Sequence, residues 1–223
     1  MFLLAADTSG KHGSIALAQC GPGGACGVIE VAPLAGGTFS AQLVPQIAAL
    51  LAKHGFNKDD IGGFAVVAGP GSFTGVRVGL AAIKGLAEVL AKPIAAVSLL
   101  EAVAVSGRSQ GRLTAALDAG RGEVYAGQYE VQGGDSRLLS ERLLTRAELL
   151  EAAIGSTVVV VDQDLAEAVR VAGLPVDEIE IPRSDVIARL GWQKIRAGNV
   201  VSPEALDANY LRSSHEIFSK SSS

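Results

Sequence analysis

Acidic and hydroxyl side chains stand beside glycine turns at two places where the sequence predicts the end of a buried strand. Asp7, Thr8 and Ser9 follow the apolar run that begins at Phe2, and Asp118 follows the run 113–117. Such side chains could accept hydrogen bonds from their own backbone in Asx turns, which needs no ligand.

A glycine-rich stretch from Gly69 to Gly75 follows a third apolar run and precedes a helical pattern. The backbone N–H groups of such a turn, including that of Gly71, could contact a phosphate group. The spacing matches neither G-x-G-x-x-G nor G-x-x-x-x-G-K-[ST], so the motif alone does not identify a nucleotide site. The alternative is that these glycines permit a tight turn and close packing.

The residue pattern gives little support for a metal-dependent or serine-based catalytic site. The histidines His12, His54 and His215 do not form a pair at metal-ligand spacing, and Ser72 has no base beside it in the sequence. We therefore predict no catalytic residue, no metal and no cofactor. Cys20 and Cys26 flank a Gly-Pro-Gly-Gly turn and could face each other across a hairpin, and in a reducing compartment we expect two free thiols.

The composition is typical of a globular protein. The chain has 223 residues, of which 48% are hydrophobic and 19% are charged, and its formal net charge is −4. A net negative charge argues against a chain that binds nucleic acid on its own. The apolar run at Phe2 is too short for a signal peptide and no basic residue precedes it, so we expect a cytoplasmic protein with no membrane association.

Two predicted helices, residues 40–53 and 74–91, carry unusually narrow polar stripes. In the second helix only Arg77, Lys84 and Glu88 are polar after Thr74, and at about 100° per residue they fall within about 40° of one another. Such helices are typical either of burial within one chain or of an apolar surface that another chain covers. The residues predicted to line a partner surface are Ser40, Leu43, Val44, Ile47, Ala48, Leu51, Thr74, Val76, Arg77, Leu80, Ile83, Lys84 and Ala87. We expect Thr74 to cap the second helix.

The order strand, aspartate, glycine turn, strand occurs once in each half of the chain. This repetition resembles the duplicated α/β fold of the actin, Hsp70 and sugar-kinase superfamily (ASKHA), in which each subdomain has a mixed β-sheet flanked by helices. The resemblance implies that Asp7 and Asp118 stand where that superfamily would hold a magnesium nucleotide. The sequence leaves this interpretation and the Asx turns both open. We expect subdomains at residues 1–108 and 109–216, followed by a disordered tail at 217–223. In the second half we also predict a strand at 179–181 and a helix at 184–196.

The string GPGSFTGVRVGL at 69–80, followed by KGLA at 84–87, resembles the signature of the TsaB (YeaZ) family. Further segments match that family in the same order: ADTS at 6–9, VSLLEA at 97–102, ALDAGRGEVY at 116–125 and YLR at 210–212. The resemblance covers nearly the whole chain. It departs from the family at Phe39, where a histidine often precedes the serine that opens the first helix.

The resemblance implies a non-catalytic subunit of the bacterial machinery that forms threonylcarbamoyladenosine in tRNA beside the anticodon. It implies pairing with a catalytic paralogue, TsaD, through the two N-terminal helices, an association with the ATPase TsaE, and a homodimer when the paralogue is absent. Contact with tRNA would then be indirect. Leu99 and Val103 stand where the catalytic relative has metal-binding histidines. The alternative is an active enzyme, either an actin-like ATPase or a glycoprotease-type hydrolase.

Overall fold

The computed structural model describes residues 1–211, in two compact units. The first unit comprises Met1–Leu99 and Pro182–Ala208, and the second comprises Leu100–Ile181 and the described residues from Asn209 onward. The predicted disordered tail and Arg212 of the last family segment lie outside the described residues.

The first unit is built on a five-stranded sheet in the order β3-β2-β1-β4-β5. Its strands are β1 (Phe2–Asp7), β2 (Gly13–Cys20), β3 (Cys26–Leu34), β4 (Ile61–Gly69) and β5 (Ile94–Ser98). The first three strands pair antiparallel, and β4 and β5 are added parallel to β1. Helices cover the faces of this mixed sheet, which explains why its central strands read as continuous apolar runs.

Three helices belong to the first unit: α1 (Phe39–Lys53), α2 (Phe73–Leu90) and α6 (Ser184–Arg196). Alternate strand residues such as Leu4 and Val66 join the apolar core that contains the buried side chains of α1 and α2. The neighbouring strand residue Ala65 lies against α6, where a Cβ atom on Gly191 would be 2.3 Å from the Ala65 Cβ. Because successive strand side chains point to opposite faces, α1 and α2 cover one face of the sheet and α6 covers the other.

The return of α6 to the first unit differs from the single boundary that we expected at residue 108. The sequence places this helix in the second half of the chain, yet Ile187, Ala188 and Leu190 are buried in the first unit. Its N-terminal residue is fixed to β2, because the Ser184 hydroxyl donates to the Ser14 carbonyl oxygen at 2.7 Å. Packing against a distant sheet therefore decides which unit the helix joins.

The second unit repeats the same sheet plan in the order β10-β9-β6-β7-β8. Three antiparallel strands are again followed by two parallel ones. Its elements are α3 (Leu99–Ser106), β6 (Gly111–Gly120), β7 (Glu123–Gln132), β8 (Asp135–Thr145), α4 (Arg146–Ala152), β9 (Thr157–Val160), α5 (Gln163–Val171) and β10 (Val176–Glu178). Two mixed five-stranded sheets of the same plan, flanked by helices, confirm the predicted duplicated α/β fold.

Two local predictions are wrong. The last strand of the second unit is β10 at 176–178 rather than the predicted 179–181. The reason is Asp177, whose buried carboxylate accepts hydrogen bonds from the backbone N–H groups of Arg108 and Ser109, both at 2.9 Å. In the first unit, a disulfide joins Cys20 and Cys26 in place of the expected free thiols. None of the helices within residues 1–211 has the length and apolar content needed to cross a membrane.

Candidate functional site

Asp7 ends β1 in a buried polar turn. The side chain is 5% exposed, and its Oδ1 accepts hydrogen bonds from the Ser9 backbone N–H at 2.8 Å and the Ser9 hydroxyl at 2.6 Å. Burial raises the pKa of the Asp7 carboxyl group, and the two bonds from Ser9 oppose this rise without cancelling it. These contacts form the Asx turn that the sequence left open as one interpretation of this residue.

The glycine-rich turn packs directly on the same corner of the unit. The Ser72 backbone N–H donates to the Ser9 carbonyl oxygen at 2.7 Å, and the Thr8 hydroxyl donates to the Gly75 carbonyl oxygen at 2.7 Å. A Cβ atom at Gly71 would lie 2.6 Å from the Ser9 carbonyl oxygen, and one at Gly75 would lie 2.1 Å from the Thr8 carbonyl oxygen. The glycines therefore let the start of α2 touch the β1–β2 turn, which favours the close-packing interpretation over a phosphate cradle.

The cap of α2 also differs from the prediction. Ser72 is the N-cap residue, and its hydroxyl accepts the Gly75 N–H at 3.2 Å. Thr74 is the second residue of the helix and is exposed. The sequence offers two hydroxyl residues two positions apart, and only the packing of Gly75 on Thr8 fixes which of them precedes the first turn. The Ser72 and Gly75 amides are thus both bonded within the protein.

Asp118, the other predicted nucleotide ligand, belongs to the second unit. It lies on β6 opposite Val124 of β7, beside an irregularity in the pairing of the two strands, and it is exposed. Leu99 and Val103 are buried aliphatic side chains. Within residues 1–211, no three side chains of His, Cys, Asp or Glu are grouped in a way that could hold a metal ion.

Seven of the thirteen residues predicted to line a partner surface are instead buried in the first unit. Their exposed fractions range from 0% for Ile83 to 6% for Leu80, and all seven belong to the apolar core shared with the sheet. They are Leu43, Ile47, Leu51, Val76, Leu80, Ile83 and Ala87. The helical periodicity cannot separate the core-facing side from the outer side, because both sides are apolar.

The outer side of the two helices carries small and apolar residues. Val44 is 48% exposed and Ala48 is exposed on α1, while Thr74 and Arg77 are exposed on α2. Ser40 is also exposed, whereas the half-buried Lys84 donates from Nζ to the Leu206 carbonyl oxygen at 3.1 Å. This last contact holds the segment that follows α6 against α2. The charge of Lys84 is therefore engaged within the first unit.

Phe73 is a surface residue that the sequence reasoning missed. It is 47% exposed, and the Arg77 guanidinium carbon lies 3.5 Å from the centre of its ring. The signal was available, since a large aromatic residue within a turn of polar and glycine residues has few places to be buried. We define the α1–α2 surface as the exposed side chains of Ser40, Val44, Ala48, Phe73, Thr74 and Arg77.

Comparison with known proteins gives a consistent set of similarities. The family model described as "TsaD: tRNA N6-adenosine threonylcarbamoyltransferase" matches residues 30–186. The chain is 41% identical over 96 residues to the tRNA threonylcarbamoyladenosine biosynthesis protein TsaB of Bacillus subtilis, a match that covers 43% of this chain and 42% of that protein. It is 36% identical over 133 residues to the Escherichia coli protein of the same name, covering 58% of this chain and 55% of that protein. The match thus spans about half the length of these curated relatives.

The fold matches solved structures over nearly its whole length. The structure of YeaZ from Pseudomonas aeruginosa superimposes with a TM-score of 0.75 at 28% identity, covering 94% of this chain and 99% of that chain. A second Pseudomonas aeruginosa structure, described as an uncharacterized protein with similarity to peptidase YEAZ, gives a TM-score of 0.76 at 29% identity. The similarity therefore extends over both units and is not confined to the glycine-rich turn.

Proposed function

We infer that this chain, which belongs to the TsaB (YeaZ) branch of the tRNA N6-adenosine threonylcarbamoyltransferase family, acts in forming threonylcarbamoyladenosine in tRNA. Its role is that of an activating scaffold that pairs with a TsaD-type catalytic relative in the cytoplasm. The ATPase TsaE joins the same assembly. The net charge of −4 supports contact with tRNA through the complex and not through this chain alone.

The observation that carries this proposal is the α1–α2 surface. The side chains of this surface are exposed, although other residues of α1 and α2 are buried in the apolar core of the first unit. Small side chains such as Ala48 allow the helix of a partner to approach closely, and the half-exposed Val44 and Phe73 supply apolar area for it to bury. The same surface serves the homodimer that forms when the catalytic relative is absent.

A non-catalytic role is supported by the contacts that the candidate nucleotide-binding positions make within the protein. The Asp7 carboxylate accepts bonds from Ser9, and the glycine-rich turn packs on Thr8 and Ser9. The alternative, an actin-like ATPase or a glycoprotease-type hydrolase, would have to use this same corner. We favour this alternative less, because the backbone N–H of Ser72 donates to the Ser9 carbonyl oxygen and that of Gly75 donates to the Ser72 hydroxyl.

The proposal is tested by measuring association with the catalytic relative from the same organism by light scattering. We expect the unchanged chain to form a complex of defined mass, and Val44→Asp to weaken it by about 100-fold or more, since it buries a charge in the interface. The matched control is Val171→Asp on α5, where the valine is 80% exposed in the second unit. Equal binding by the unchanged chain and Val44→Asp would contradict the assigned surface.

The non-catalytic role needs a separate measurement. We expect the purified chain alone to hydrolyse ATP no faster than a buffer blank. Turnover by the isolated chain that is lost in Asp7→Ala would contradict the scaffold role and favour the enzymatic alternative. The exposed Glu151→Ala variant on α4, outside the candidate nucleotide positions, distinguishes a general loss of activity from an effect at the buried corner.

A further inference from the structure

The only two cysteines of the chain face each other at the end of the β2–β3 hairpin. Cys20 is the last residue of β2 and Cys26 is the first residue of β3, and the strand register pairs them directly. Their Cα atoms are 4.1 Å apart, and the five residues 21–25 close the hairpin between them. The feature is independent of the α1–α2 surface and of the function proposed above.

The backbone hydrogen bonds explain why the two side chains approach so closely. The Cys20 N–H donates to the Met1 carbonyl oxygen at 2.9 Å, and the Met1 amino group donates to the Cys20 carbonyl oxygen at 2.7 Å. Both polar groups of Cys20 thus point toward β1, so Cys20 and Cys26 form a non-hydrogen-bonded antiparallel pair. In such pairs the side chains stand closer together than in the hydrogen-bonded kind.

The two thiol positions differ in accessibility. Cys20 is 2% exposed, whereas Cys26 is only partly buried on an edge strand. We propose that this pair is a reversible modification site for thiol–disulfide exchange, with Cys26 as the residue that meets a small-molecule disulfide and Cys20 as the residue that resolves the adduct.

The chemistry balances with a low-molecular-weight disulfide as the oxidant. The Cys26 thiolate attacks one sulfur of the disulfide, that S–S bond breaks, and one thiolate leaves and takes up a proton. The Cys20 thiolate then attacks the Cys26 sulfur, so that the intramolecular S–S bond forms and the second thiolate leaves. The protein loses two protons and two electrons, and the small disulfide is reduced to two thiols.

The consequence lies on β3, which within residues 1–211 pairs only with β2. Glu30 of β3 accepts from the Lys53 Nζ at 2.7 Å and lies 2.7 Å from the His54 Nε2, so the strand is tied to the end of α1. Oxidation closes the hairpin covalently at the start of β3 and keeps this strand in register. Reduction removes this covalent link and leaves the backbone hydrogen bonds between β2 and β3.

The order of attack is tested on the reduced full-length chain with glutathione disulfide, followed by alkylation and intact-mass measurement. We expect the unchanged chain to lose the mass of two hydrogens and to accumulate no adduct. Cys20→Ser should trap a stable glutathione adduct on Cys26, whereas Cys26→Ser should react at least tenfold more slowly, since Cys20 is buried. Equal rates for the two variants, or an adduct that persists on the unchanged chain, would overturn the proposal.

Hydrogen exchange supplies a readout that the loss of a thiol by itself would not change. We expect the β3 amides just after Cys26 to exchange about tenfold more slowly in the oxidised chain than in the reduced chain. The Cys20→Ser/Cys26→Ser double variant is the matched control and should show no response to the redox state. Identical exchange in the oxidised and reduced unchanged chain would contradict the structural consequence.

Discussion

The buried carboxyl group of Asp7 costs stability that its hydrogen bonds only partly offset. Burial raises the pKa in the folded state above its ordinary value, so ionised Asp7 opposes folding at every pH above the folded-state pKa. This penalty begins to fall as the pH drops through the folded-state pKa and is gone below the unfolded-state pKa. Asp7→Asn keeps an oxygen that can accept from Ser9, and we expect it to raise the free energy of unfolding at neutral pH by about 1 kcal/mol.

The measurement is urea unfolding at neutral and at acidic pH. The gain should vanish in acid, where Asp7 is protonated in both states. The control is the exposed Asp118→Asn, for which we expect a change of less than about 0.5 kcal/mol. A loss of stability in Asp7→Asn at neutral pH would mean that the ionised carboxylate has a stabilising partner.

Asp177 predicts the opposite pH dependence in the second unit. Burial raises the pKa of Asp177, but the hydrogen bonds from Ser109 and Arg108 lower it by a larger amount. The net shift of the pKa is therefore downward. Its contribution is therefore complete above the unfolded-state pKa and is lost as the pH falls through the lower folded-state value. We expect Asp177→Asn to cost about 2 kcal/mol at neutral pH and progressively less in acid, as measured by unfolding across that range.

The matched control for Asp177 is its cationic partner. The Arg108 side chain is 80% exposed, so Arg108→Ala should cost less than about 1 kcal/mol. The backbone N–H groups of residues 108 and 109 remain bonded to the carboxylate in that variant. Equal losses in the two variants would assign the stability to the ion pair and not to the backbone bonds.

The packing of α2 on the β1–β2 turn requires a glycine at position 75 but not at position 85. A Cβ atom at Gly75 would lie 2.1 Å from the Thr8 carbonyl oxygen, whereas one at Gly85 would meet no atom within 4 Å. We expect Gly75→Ala to destabilise the protein by about 2 kcal/mol or more, since a backbone atom must move. Gly85→Ala should stabilise it by about 0.5–1 kcal/mol through helix propensity. Thermal unfolding of both variants checks the pair, and similar shifts would contradict the packing argument.

The ends of α1 and α2 were predictable from the proline and glycine residues beside them. The side of each helix that faces the core was not predictable, because burial decides it. Pro93 and the glycines around α1 gave the bounds of both helices to within about two residues. The outer side of α1 was harder to read, because Ala48 counts as apolar in the sequence but is exposed in the structure. A narrow polar stripe therefore overstated the size of the apolar surface. The position of β10 was missed for a related reason, since a buried aspartate is not an apolar signal.

The duplicated sheets were predictable from the repeated strand, aspartate and glycine turn, because that order sets the first hairpin of each unit. The assignment of α6 to the first unit was not predictable from the sequence. Its apolar face fits any sheet of the right curvature, and only contacts such as that of Gly191 with Ala65 show which sheet it covers. Sequence order places the helix in the second half, and packing between residues more than 100 positions apart places it in the first unit.

We propose one surface for the homodimer and the heterodimer, so we expect the two assemblies to exclude each other. We expect the chain alone to approach twice its monomer mass in light scattering as its concentration rises. An equimolar amount of the catalytic relative should replace that species with a heterodimer. Val44→Asp should stay monomeric under both conditions, because the exposed Val44 contributes to both contacts, and Val171→Asp should behave like the unchanged chain. A larger complex that retains two copies of this chain beside the catalytic relative would show that self-association uses a different surface.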